Sequence, residues 1–328
     1  MGHKVFIDGG AGTTGLRIEH FLARHRGVEL IGIDPARRRD VGERLRRMSE
    51  ADISFLCLPD AESAAIAARA PEDARLIDAS TYHRVKEDWV YGLPELAAGQ
   101  RERIRGSNRV ALPGCHATGF ILLVRPLTAA GVVGADYPFA FHSVTGYSGG
   151  GREMIERYEA ARDKALRGAA EIDGSRGKEA DSLKAPRQYA LTQEHKHLPE
   201  MTKMAKLSEA PVFVPHVADY FNGLSVVVPL RRGLLAEGAS AGDVRRVIED
   251  RYRDEPFIRV APAGADPEAG YLRADAMRDR NDAEIFIVGN EDRILLVARY
   301  DNLGKGASGA GVQCMNIMLG ISEERGLL

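Results

Sequence analysis

Cys115 is the residue best placed for covalent chemistry. It stands in Leu112-Pro113-Gly114-Cys115-His116-Ala117-Thr118-Gly119, where a Pro-Gly turn leads into small and apolar residues. That pattern predicts a cysteine at a strand-to-helix junction. There the helix dipole and unpaired N–H groups stabilise a thiolate and lower the thiol's pKa. A thiolate attacks an activated carbonyl and later leaves, which is the chemistry of acyl transfer. Cys57, inside Ile53-Ser54-Phe55-Leu56-Cys57-Leu58-Pro59, and Cys314, in the apolar C-terminal stretch, read instead as small core residues. The densest titratable cluster is Gln193-Glu194-His195-Lys196-His197-Leu198-Pro199-Glu200-Met201. His195 and His197 are two apart, so in an extended segment they point the same way. Glu200 falls in the first turn of a helix expected to reach Leu207. An imidazole near Cys115 could accept its proton and return one to a product oxygen. A His-x-His metal pair would need third and fourth ligands, and no Cys or Asp neighbour has that spacing, so no metal is expected. His142 and His216 are expected to be structural, at strand ends.

A second chemistry-bearing stretch is Gly9-Gly10-Ala11-Gly12-Thr13-Thr14-Gly15, directly after the strand-like Lys4–Asp8. Glycines there permit φ > 0 and let backbone N–H groups approach a pyrophosphate, while the following helix adds its partial positive charge. Between the first strand and first helix of an alternating run, this reads as a dinucleotide cradle. The end of the second strand separates NAD from NADP. An acid there binds a ribose hydroxyl, and arginines accommodate a 2′-phosphate. Asp34 is followed by Arg37, Arg38 and Arg39 on the expected opening of a helix. Three guanidinium groups favour NADP(H).

The elements that must position these groups follow from periodicity. Strands are expected at 4–8, 28–33, 52–58 and 76–78, with helices at 16–25, 36–48 and 61–70 between them. That alternation predicts an α/β unit of the Rossmann type, a doubly wound parallel sheet with helices on its faces. After Pro113 a helix is expected at 117–130. Strand-like runs then follow at 137–145, 211–215, 224–229, 285–289 and 294–299, with a hairpin at 290–293. Strands with few helices between them predict a second, α+β unit with a mainly antiparallel sheet. Residues 168–187, rich in Gly, Lys, Glu and Asp, read as a loose loop, and 307–321 as a terminal helix.

The composition agrees with this picture. The chain has 328 residues, enough for two domains at roughly 150 residues each. Lys+Arg 45 against Asp+Glu 47 leaves a net charge of −2, which gives no basic footprint for nucleic acid. No apolar run reaches the ~20 residues of a membrane span. The N-terminal residues carry no signal-peptide pattern, and three dispersed cysteines suit a reducing compartment, so a cytoplasmic protein is expected.

The stretches GGAGTTG at 9–15, YGLPEL at 91–96, LPGCHATG at 112–119, TGYSGGGR at 145–152, HKHLPE at 195–200 and DNLGKGASGAGVQCMN at 301–316 occur in a recognisable order. With them the chain resembles the N-acetyl-gamma-glutamyl-phosphate reductase family, in its short form, within the aspartate-semialdehyde-dehydrogenase-like enzymes. The resemblance implies NADPH-dependent reduction of an N-acetylglutamyl 5-phosphate to the semialdehyde, with loss of inorganic phosphate, through a thioester on Cys115. It implies His197 as the acid/base with His195 beside it, and Glu200 as an orienting group. Ser148, Gly149, Gly150 and Arg152 are implied in the substrate site, and Asn302 and Lys305 near the nicotinamide. It further implies a Rossmann domain of residues 1–114 plus 305–328, joined by the terminal helix, and a catalytic and oligomerisation domain of residues 115–304 in a homodimer or homotetramer. Two rivals stand beside this reading: the same chemistry on aspartyl phosphate, and a non-enzymatic NADP-binding sensor.

Overall fold

The structure is a computed structural model that describes residues 2–10, 12–166 and 182–327, the side chains of 164–166 aside. Most of the loop expected at 168–187 lies outside the described residues. The chain divides into two compact units, Met1–Thr118 with Gly304–Leu328, and Gly119–Leu303. The expected division at 114/115 and 304/305 is displaced by four residues and by one.

The first unit alternates strand and helix: β1 (His3–Asp8), α1 (Thr13–Leu22), β2 (Val28–Ile31), α2 (Val41–Glu50), β3 (Ile53–Leu56), α3 (Asp60–Ala67), β4 (Leu76–Asp78), β5 (Val90–Tyr91), α4 (Gln100–Arg105) and β6 (Arg109–Ala111). The strands pair in parallel in the order β2-β1-β3-β4-β6-β5. Phe6, Leu56, Leu76 and Ala111 from the sheet pack with Met48, Ile66 and Trp89. Each large apolar side chain buried this way stabilises the unit by about 1.5–3 kcal/mol. The helix expected to open at Ala36 begins five residues later. Pro35–Arg37 form a single 3₁₀ turn, and the Asp40 side chain caps α2 by accepting from the Glu43 N–H. The helix Gly309–Leu319 closes the unit, preceded by a π-turn at Gly304–Ser308.

Helix α5 (Cys115–Ala129) leads into the second unit, the division falling after Thr118. There follow β7 (Ala140–Gly146), α6 (Gly151–Leu166), β8 (Arg187–Gln188), α7 (Leu198–Ala205), β9 (Val212–Ala218), β10 (Leu224–Arg231), α8 (Ala241–Tyr252), β11 (Ile258–Val260), β12 (Ala283–Gly289) and β13 (Arg293–Tyr300). The sheet order is β11-β12-β13-β10-β7-β9-β8, and four of its six pairings are antiparallel. One face is dry: Phe141 stacks on Phe213 at 4.5 Å, Phe120 of α5 lies 4.6 Å from Phe141, and the Tyr252 hydroxyl of α8 donates to the Leu122 carbonyl. The opposite face carries Val212, Val288 and Leu295, all exposed. The β12–β13 hairpin turns where expected, because the Asn290 side chain accepts from the N–H groups of Asp292 and Arg293.

Candidate active site

The first unit holds a phosphate cradle. β1 lies between β2 and β3, so the chain leaves on both sides of it, and such a switch point opens a crevice at the carboxyl ends of the strands. Gly9 follows β1 with φ +86°, and a Cβ there would sit 2.3 Å from the Cys57 carbonyl oxygen. At Gly15 a Cβ would come within 2.7 Å of the Gly10 Cα, so only glycine lets α1 close on the loop. Gly12 caps α1 without a side-chain bond, and the first turn, from Thr13 and Thr14, contains no acid. Helix N-terminal N–H groups without a side-chain cap or competing carboxylate suit a pyrophosphate. The loop therefore fits a dinucleotide. Replacing Gly9 by Ala is expected to cost about 1–3 kcal/mol and to weaken nucleotide binding, read by thermal unfolding and by fluorescence titration with NADPH.

At the end of β2 the Asp34 carboxylate accepts from the Ala36 N–H. Arg37 is engaged by Asp40 at 3.1 Å and Glu43 at 3.2 Å. Arg38 and Arg39 are exposed beside it. Beneath the cradle, Asp8 is buried against Arg44 at 2.7 Å; burial raises its carboxyl pKa despite that partner.

Cys115 is the first residue of α5, two residues earlier than the expected start. It is partly exposed, with no acid in the first turn. Thr118 closes the turn, its N–H and Oγ1 both donating to the Gly114 carbonyl at 2.9 and 3.1 Å. Cys314 is buried as expected, whereas Cys57 is half-buried like Cys115 and is not the core residue expected; desolvation nevertheless pushes both the Cys57 and Cys314 thiols above the usual range.

Lys305, expected near a nicotinamide, is held by protein partners in this unit. Its Nζ is fully buried and donates to Glu95 at 2.8 Å and to Gln313 at 2.6 Å, so it braces the π-turn against the 91–96 loop. Ser308 Oγ continues the brace by donating to the Thr14 carbonyl in α1. Glu95 stood in a recognised motif with no role assigned, because its partner is 210 residues away. A second missed group surrounds Asp78 at the end of β4. Its buried carboxylate accepts from Ser63 Oγ, Ser80 N and Oγ, and pairs with His83 Nδ1 at 2.6 Å; His83 stacks on Trp89 at 4.0 Å. Burial opposes ionisation, but these partners together hold the Asp78 carboxyl below its usual range. The only signal was the run Asp78-Ala79-Ser80-Thr81-Tyr82-His83-Arg84 after a short strand.

The histidine cluster belongs to the second unit. Its backbone is a turn, not the extended segment expected: Leu198 N–H donates to the His195 carbonyl at 3.0 Å. The His197 N–H donates to His195 Nδ1 at 3.1 Å, and the rings meet edge to face at 4.5 Å. His197 caps α7, and Glu200 lies in the first turn, both buried.

The substrate-loop residues are also here. Ser148 is buried, and its Oγ accepts from Asn302 Nδ2 at 3.0 Å; Asn302 Oδ1 accepts from the Gly223 N–H at 2.8 Å. Asn302 therefore fastens the Ser148-Gly149-Gly150 turn to the end of β13. Arg152 lies in the first turn of α6 with its side chain 77% exposed and its Nε on Glu156 at 2.7 Å.

Known proteins resemble the chain in sequence and fold. The family described as "Semialdehyde dehydrogenase, NAD binding domain" matches residues 4–106, and "Semialdehyde dehydrogenase, dimerisation domain" matches 115–302. A Nostoc sp. protein called N-acetyl-gamma-glutamyl-phosphate reductase 2 is 40% identical over 331 residues, covering 99% of both chains. A Pseudomonas putida protein of the same name is 41% identical over 325 residues, covering 98% of both. Aspartate semialdehyde dehydrogenase II from Vibrio cholerae shares the fold at TM-score 0.69 and 16% identity, covering 97% of this chain and 98% of its own. The Candida albicans aspartate semialdehyde dehydrogenase, solved with NADP, aligns at TM-score 0.63 and 14% identity, covering 97% and 98%. Among the described residues no helix is long and apolar enough to cross a membrane. A nucleotide cradle, a cysteine opening a helix and relatives alike from end to end lead to one assignment: this chain is an oxidoreductase of the semialdehyde dehydrogenase family and belongs to the N-acetyl-gamma-glutamyl-phosphate reductases.

Proposed function

We propose that the protein reduces N-acetyl-L-glutamyl 5-phosphate to N-acetyl-L-glutamate 5-semialdehyde, releasing phosphate, with Cys115 as nucleophile. The observation that carries this is the partly exposed thiol at the start of α5, in a chain 40% identical to reductases named for that substrate. The Cys115 sulfur attacks the acyl carbonyl; the C–S bond forms, the C–O bond to phosphate breaks, and phosphate leaves with the electron pair. N–H groups at the start of α5 are the donors available to the developing oxyanion. The resulting thioester accepts hydride far more readily than a carboxylate would. A bound nicotinamide dinucleotide supplies that hydride. His197 gives a proton to the tetrahedral oxygen and recovers it as the C–S bond breaks and the aldehyde departs. His195 is the poorer candidate, because its Nδ1 is taken as an acceptor by the His197 N–H. Buried Glu200, in the same turn as His197, acts as the positioning carboxylate.

NADP(H) is the cofactor this reading prefers. Asp34 is spent on the Ala36 N–H and Arg37 on two carboxylates, whereas Arg38 and Arg39 remain exposed for a 2′-phosphate. Replacing Arg38 and Arg39 by Ala should raise KM for NADPH by roughly 10–100-fold and leave KM for NADH nearly unchanged. Equal effects on both would contradict the phosphate contact. A homo-oligomer, dimer or tetramer, is also proposed, supported by the dimerisation-domain family that matches residues 115–302.

The substrate assignment is tested by following NADPH formation from NADP+ with N-acetylglutamate semialdehyde or aspartate semialdehyde, each with and without phosphate. Phosphate-dependent turnover of the acetylated compound alone is expected. Turnover of aspartate semialdehyde alone would identify the aspartyl-phosphate enzyme instead.

A further inference from the structure

A hollow in the second unit, apart from the residues given a site role above, gathers three arginines that make no ion pair with a described residue. It is lined by Arg231, Arg232 and Arg293 together with the 233–239 loop, and its volume is about 900 Å³. Arg231 ends β10 and Arg293 begins β13, and the two are directly opposite in the antiparallel pairing. Directly opposite residues share a sheet face, and like charges so placed repel. Both are exposed on the outward face.

Their backbones are fixed. Arg231 N–H donates to the Tyr137 hydroxyl at 3.0 Å and Arg232 N–H to the Asp292 carbonyl at 3.1 Å. Other arginines of this unit find carboxylates, as Arg246 does with Asp243, Arg280 with Asp282 and Arg299 with Glu284. Glu237 and Asp292 share the hollow's rim, yet no ion pair joins Arg231, Arg232 or Arg293 to any described carboxylate. Arginines at two directly opposed positions, with a third next in the chain, supply guanidinium forks of the kind that grip phosphate oxygens. Leu234, Leu235 and Ala236 give the hollow an apolar wall.

We propose that this hollow is a second anion site, taking a small organic phosphate or diphosphate. The phosphate lies between Arg231 and Arg293, with Arg232 as a third donor and the apolar wall against the organic part. Occupation relieves the repulsion between the opposed arginines, so the ligand stabilises the second unit by mass action.

The test compares the wild-type protein with R231Q/R293Q, titrated at constant ionic strength with sodium pyrophosphate and, separately, with citrate. Binding is read by calorimetry and unfolding by fluorimetry. Pyrophosphate should bind the wild type at a saturable site that the double variant loses or holds at least about tenfold more weakly. Binding that both proteins retain belongs to the first unit's cradle, so the difference isolates this site. Without added anion the double variant should unfold no earlier than the wild type. Equal pyrophosphate binding by both proteins overturns the proposal, and citrate binding as tightly as pyrophosphate overturns the phosphate class. A variant that falls to single chains, with no anion effect on the wild type, would assign these arginines to an interface with a second copy instead.

Discussion

Replacing Cys115 by Ser lowers kcat by roughly 10³-fold or more in both directions, with KM for NADP+ nearly unchanged. A hydroxyl fills the same space and keeps the start of α5 intact. At neutral pH, however, it is neither a nucleophile nor a leaving group comparable to sulfur. The effect should therefore fall on acyl transfer and not on the nucleotide cradle, which is built around Gly9, Gly12 and Gly15. The same logic predicts the labelling pattern. Iodoacetamide should modify Cys115 first, because Cys314 is buried and desolvation disfavours the thiolate of half-buried Cys57. A serine variant with a tenth or more of the wild-type rate would remove Cys115 from the nucleophile's role.

Replacing Glu95 by Ala has the second large effect, on stability. Glu95 and Lys305 are both fully buried, 2.8 Å apart. Removing the carboxylate leaves an ammonium group enclosed without its counter-charge, a change that typically costs about 3–5 kcal/mol. Gln313 stays bonded to Lys305 but brings no charge to replace it. The unfolding midpoint in urea should fall sharply, while E95L/K305M, which removes both charges, should recover much of the loss. A pH signature accompanies the pair. Burial alone would raise the Glu95 carboxyl, but Lys305 and Gln313 bring it below its ordinary value of 4.5. A depressed carboxylate adds stability that is complete above the unfolded-state value and lost as pH falls through the lower folded one. The wild type should therefore lose stability in acid more steeply than E95L/K305M does. An alanine variant as stable as the wild type would show that the pair is not a brace.

Local chemistry was legible in the sequence, and long-range pairing was not. The cradle glycines declare themselves because a positive φ and close backbone approach exclude every other residue at Gly9 and Gly15. Cys115 declares itself because a Pro-Gly turn before a helix is a local event. Helix α2 opens at Val41 and not at Ala36 because the Asp40 side chain caps it. The histidine turn was misread for a similar reason, since the bond from His197 N–H to His195 Nδ1 folds a segment that looked extended. The protein partners of Asn302 and Lys305 were not legible. Ser148 precedes Asn302 by 154 residues and Glu95 precedes Lys305 by 210, and only the completed sheets bring such groups together. The ion pair of Arg152 with Glu156 is, by contrast, local, four residues along α6.

The covalent step is tested most directly by mixing the protein with N-acetylglutamyl phosphate in the absence of nicotinamide nucleotide, quenching in acid, and mapping the adduct by mass spectrometry. The mechanism predicts one N-acetylglutamyl group per chain, on the peptide containing Cys115 and removable by hydroxylamine. No adduct, or an adduct on any other residue, would contradict it.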